Sequence, residues 1–129
     1  MPQDRESGAE ANWFGRQYGA KIIATLGATK VKPGSNECLL GGKRVSVHCA
    51  RKNTDSVGVT RLCLKKLDTV LGAFEQEDGS FQVWELPADQ YVKHSRPTRS
   101  RGPSAGRVVL VRRTVFEQHG RLVRLLPPF

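Results

Sequence analysis

Phe14, Tyr18 and Ile22 recur at intervals of four, and Ile23 and Leu26 widen the stripe they form, so the chain from Asn12 to Gly27 predicts one amphipathic helix. Asn12 supplies an N-cap and Gly27 a stop. Gly15 and Gly19 weaken such a helix by about 1 kcal/mol each relative to Ala, which is taken as a sign of close packing there. Residues 1–11 are polar and are expected to be a disordered tail.

The period then changes from helical to alternating. Glu37 to Leu40 and Lys43 to Ala50 flank Gly41-Gly42, a pair that admits the positive φ of a two-residue hairpin. In the second arm Val45, Val47 and Cys49 alternate with Arg44, Ser46 and His48, so Ser46 and His48 share the polar face. Asn53 to Gly58 reads as a loop and Val59 to Leu64 as a short strand. Leu67 to Phe74 is a mostly apolar run of strand length, suited to burial on both faces. Asp78-Gly79 turns the chain into a return strand through Phe81, Val83, Trp84 and Leu86, stopped by Pro87, and Ala88 to His94 predicts one or two helical turns.

Pro97, Gly102, Pro103 and Gly106 make residues 95–106 a Pro/Gly/Arg-rich linker, after which Val108 to Val111 reads as a strand. Thr114 to Leu126 fits either a helix interrupted at Gly120 or a hairpin turning at His119-Gly120, and the alternation around Arg121 and Arg124 favours the hairpin. The expected architecture is therefore α/β: an N-terminal helix packed on a mixed, largely antiparallel sheet over residues 12–94, with a basic C-terminal extension over residues 107–129.

Charge adds a partner to this picture. The 129 residues carry a formal net charge of +9, and residues 93–129 hold 9 basic residues and 1 acidic one, against 12 and 11 in residues 1–92. Eight of those nine are Arg, whose planar fork suits phosphate, so a polyanion and above all nucleic acid is the expected partner. No run of about 18 apolar residues is present, so no membrane span is expected, and Met1 to Glu10 has no apolar stretch that would direct export. Cys38, Cys49 and Cys63, an odd number set among Leu and Val, read as thiols of a reducing cytoplasm. A zinc site from Cys38, His48, Cys49 and Cys63 lacks the short ligand spacing of structural zinc.

The stretch from Glu37 through Gly41-Gly42-Lys43-Arg44 to Ser46-Val47-His48, followed by Leu67 to Phe74 and by Phe81-Gln-Val-Trp-Glu-Leu-Pro87, resembles the core of the PD-(D/E)XK nucleases, the restriction-endonuclease-like superfamily, over roughly Asn12 to Tyr91. The resemblance implies an endonuclease-type fold that binds DNA and, where catalytic, hydrolyses phosphodiesters with a divalent metal, usually magnesium. It places Glu37 at the first acidic position, as catalytic residue and metal ligand; the residues alone equally allow an exposed acid at a strand start, paired with Lys43 or Arg44 for under about 1 kcal/mol. Ser46 stands where the family has a second carboxylate and His48 where it has lysine, and the helix offers Arg16, Gln17 and Lys21 rather than an added Glu. Asp55 and Asp68 replace the missing acid only if the fold brings them near.

His48 is open to three chemical roles: general base, metal ligand, or, when protonated, a cation beside phosphate. Lys43, Arg44, Arg51, Lys52 and Asn53 border the same strand and are the expected phosphate-holding residues, with Arg99 and Arg101 as further nucleic-acid contacts. Duplex DNA is expected over RNA, and a palindromic site would favour a homodimer. The alternatives are a binding module without catalysis and an RNA- or ribosome-associated basic protein. In all of them the two hairpins are expected to form one cationic trough.

Overall fold

The computed structural model describes residues 5–33, 35–98 and 107–129, so the expected contacts Arg99 and Arg101 lie outside the described residues. Helix α1 (Arg5–Leu26) leads through β1 (Thr29–Lys30) into the hairpin β2 (Glu37–Leu40) and β3 (Lys43–Ala50). Then come β4 (Ser56–Thr60), α2 (Arg61–Leu64), β5 (Thr69–Glu75), β6 (Phe81–Pro87) and α3 (Ala88–His94). The chain ends with β7 (Arg96–Pro97), β8 (Val108–Arg112), α4 (Arg113–His119) and β9 (Arg121–Leu126).

Two sheets result, one of six strands in the order β1-β2-β3-β5-β6-β9 and one of three in the order β4-β8-β7. Within the larger sheet β3 and β5 pair in parallel, and the other described pairings are antiparallel. A parallel pair cannot be closed by a tight turn, and β4 with α2 supplies the crossover. The α/β class and the mixed, mostly antiparallel sheet are as expected. Gly41 and Gly42 take φ of 58° and 79°, the paired positive values that match a hairpin turn to strand twist.

Strand β5 is buried on both faces and divides the core in two. On one side Leu71 and Ala73, with Val45, Val47, Phe81 and Val83, pack against Phe14, Ile22 and Ile23 of α1. On the other, Val70 and Phe74 pack against Tyr91, Phe116 and the valines of β4 and β8. Gly72 lies between them on this second face. A Cβ there would meet the Phe74 ring at 2.8 Å and Phe116 at 3.1 Å, so glycine leaves room for the edge-on contact of those two rings, whose centroids are 5.4 Å apart.

Several elements differ from the sequence expectation. The helix begins at Arg5 instead of after Asn12, so residues 5–11 are helical rather than disordered: Arg5, Glu6, Ala9, Glu10 and Ala11 are good helix formers, and extending a helix already nucleated is cheap. Among the described residues, a Cβ built at Gly15 or Gly19 meets no atom within 4 Å, so the close packing expected at those glycines is not found there. The strand expected over Val59 to Leu64 lies earlier, because the Thr60 hydroxyl accepts the Cys63 N–H and caps a helical turn there. Residues 113–119 form a helix and not the first arm of a hairpin, and that helix buries Phe116 in the core beside Phe74 and Tyr91. Strand β9 pairs with β6, and β8 joins β4, so the basic C-terminal segment is built into both sheets. Arg96 and Pro97, expected in the linker, pair with β8.

Candidate functional site

Antiparallel pairing sets Glu37 of β2 directly opposite Ser46 of β3. Side chains opposite one another share a face, and alternation along β3 adds Arg44 and His48 to it. The three residues expected to carry chemistry, Glu37, Ser46 and His48, are therefore neighbours on one side of the larger sheet. They line a cavity of about 420 Å³ that β4 and α2 complete with Gly58, Thr60 and Cys63. The cavity lies between the two sheets, on the face opposite the α1 core.

Glu37, Ser46 and His48 each already have a polar partner. Arg44 donates to the same Glu37 carboxylate oxygen from Nη2 at 2.8 Å and from Nε at 3.3 Å, and the Cys63 thiol approaches the other oxygen at 3.7 Å. The Arg44 hydrogen bond holds the Glu37 carboxyl below its ordinary range, helped by the Arg44 and Lys66 charges and opposed by partial burial. Glu37 is ionised and paired. Ser46 is fully buried, with its hydroxyl 2.8 Å from His48 Nε2. Burial pushes the His48 imidazole down to about 4, so at neutral pH the ring is uncharged. Burial thus works against the protonated ring that a phosphate-facing cation would need.

Magnesium binds through several hard oxygen ligands in near-octahedral order, and the residues present do not fit it. Glu37 is bonded to a guanidinium, and the position of a second carboxylate is the Ser46 hydroxyl. Asp68, one candidate for the missing acid, accepts the backbone N–H of Arg44 at 2.8 Å. Asp55, the other, is exposed, and its carbonyl accepts the backbone N–H of Arg113. Among the described residues no group of three or more His, Cys, Asp and Glu side chains could hold a metal ion. Cys38 and Cys49 belong to the apolar core on the α1 side, away from the face of His48, so the four zinc candidates are not gathered.

The expected phosphate-holding residues fall into two groups. Lys43 and Arg44 begin β3, whereas Arg51, Lys52 and Asn53 follow its far end, about 20 Å away at 3.3 Å per residue. The second group faces α1: the Arg51 guanidinium lies 5.2 Å from the Phe14 ring centre, and a hollow of about 260 Å³ is lined by Phe14, Tyr18, Arg51, Lys52, Asn53 and Glu75. Lys43 and Lys52 are exposed. The basic residues thus do not share one trough.

Thr60, Cys63 and Lys66 reach the cavity or its acid; sequence reasoning missed Thr60 altogether and gave Cys63 no place beside Glu37. The one local signal was a Thr three residues before Cys63, the spacing of a side-chain cap. Among the described residues no helix is long and apolar enough to cross a membrane.

No protein-family model matches the chain, and no curated protein matches its sequence. Among solved structures it is similar to Hjc, a Holliday junction resolvase of Archaeoglobus fulgidus, over 84% of this chain and 91% of that one, with 10% sequence identity and a TM-score of 0.47.

Proposed function

We propose that the chain is a DNA-binding module on a nuclease-like α/β core, in which an ion pair occupies the position of a metal-dependent cleavage centre. The observation that carries the proposal is the Glu37–Arg44 contact at 2.8 Å, because it commits the carboxylate that the PD-(D/E)XK resemblance assigns to the metal. Ser46 and His48, bonded to each other and uncharged at neutral pH, leave no second anion to hold a cation. DNA as the partner follows from the same resemblance together with the net charge of +9. Arg96, Arg107, Arg112 and Arg124 are exposed and available to a phosphate backbone, with Lys43 and Lys52 at opposite ends of β3. The three free cysteines suit residence in a reducing cytoplasm.

The test incubates purified protein with supercoiled plasmid, duplex oligonucleotides and structured RNA in magnesium, manganese or EDTA, and reads cleavage and mobility shift together. The expected result is a duplex DNA shift that survives EDTA, without nicking. Metal-dependent nicking abolished by Glu37→Ala would overturn the assignment in favour of an endonuclease, and tighter binding of structured RNA would overturn the choice of DNA. Light scattering of the complex on a palindromic duplex checks the two-fold arrangement such a site favours.

A further inference from the structure

The Glu37–Arg44 pair does more than close a metal site. Arg44 is held at three points: its guanidinium by Glu37, its backbone N–H by the Asp68 carboxylate at 2.8 Å, and its carbonyl by the Asp68 N–H at 2.8 Å. Both guanidinium bonds go to one carboxylate oxygen, so they engage one edge of the fork and leave its other N–H groups unspent on Glu37. The Arg44 side chain is 39% exposed while that of Glu37 is 15% exposed, so the cation faces solvent and the anion lies behind it. Lys66 adds a second positive charge near the same carboxylate.

Resting on the reading of the chain as a DNA binder, we propose that Arg44 is a resident cation that contacts a backbone phosphodiester in the absence of metal, and that Glu37 is its positioning residue. A guanidinium matches a phosphate with paired N–H donors, and one whose stem and backbone are already fixed loses less freedom on contact than an untethered surface Arg. Glu37 then strengthens binding although its own charge repels DNA.

That last consequence separates positioning from a bystander acid. Binding of a fluorescent duplex is measured by anisotropy in EDTA, from about 50 to 300 mM salt, for the wild type, Arg44→Ala, Arg44→Lys, Glu37→Gln and Lys52→Ala. Loss of one phosphate contact lowers the salt slope by about one and costs roughly eightfold in affinity near 0.1 M salt, the worth of one released counterion. Arg44→Ala is expected to show both. Arg44→Lys keeps the charge and so the slope, but loses severalfold in affinity with the fork, and it carries the test if the Ala variant fails to fold. Glu37→Gln is expected to weaken binding while removing a negative charge.

Tighter binding by Glu37→Gln, or an unchanged slope in Arg44→Ala while Lys52→Ala loses affinity, overturns the role of this pair and leaves the DNA-binding reading intact. A wild type that binds no duplex at 50 mM salt overturns both.

Discussion

His48 makes the state of the site measurable through stability. Its ring is held at about 4 by burial, against 6.5 for an ordinary imidazole, with no acidic partner to offset the loss of water. The unfolded chain therefore takes up a proton before the folded one does. His48 favours the folded state fully above pH 6.5, and that contribution declines as pH falls from 6.5 towards 4. At about 1.4 kcal/mol per pH unit the complete effect is about 3 kcal/mol. His48 keeps partial exposure, and water reaching the ring reduces the realised loss to about 2 kcal/mol. Urea unfolding at pH 7.5 and 4.5, followed by Trp fluorescence, reads it directly. His48→Gln puts an amide near the Nε2 position, where it can bond Ser46, and does not titrate, so it should lose about 2 kcal/mol less than the wild type between the two pH values. His94 is also lowered, by its surroundings and by the His119 and Lys93 charges, but it responds equally in both proteins and cancels in the comparison. Equal losses in wild type and variant would refute the claim that His48 is kept neutral by burial.

Three further outcomes test the packing. Gly19→Ala should stabilise the protein by about 1 kcal/mol, or a few degrees in thermal midpoint by calorimetry, because a Cβ there meets no atom of the described residues within 4 Å. Tyr91→Phe should cost about 1–3 kcal/mol in urea unfolding, since the buried hydroxyl lies 2.8 Å from the Val109 carbonyl and 3.0 Å from that of Val57 and ties β8 to β4. Gly120→Ala should cost at least about 3 kcal/mol, measured the same way, because the new Cβ would overlap the Glu85 carbonyl oxygen and lie 2.6 Å from that of Phe116, forcing the junction of α4 and β9 apart.

Local signals in the chain were enough for the hairpin at Gly41-Gly42, the two-sided burial of β5, the stop at Pro87 and the helix at Ala88 to His94. They also placed Ser46 and His48 on one face, because side chains two residues apart on a strand must share it. Tertiary structure decided the rest. Whether residues 113–119 coil or extend depended on Phe116 finding Phe74 and Tyr91, which belong to elements remote in sequence, and the β-branched Thr114 and Val115 gave no warning of it. The same holds for the site. The sequence named Glu37 for metal, or else as a strand-start acid paired with Lys43 or Arg44, and Arg44 for phosphate; the register of β2 on β3 selected the Arg44 pair. A carboxylate's chemistry is set by the nearest charge in space, and that distance is written in strand pairing, which periodicity along a single strand does not contain.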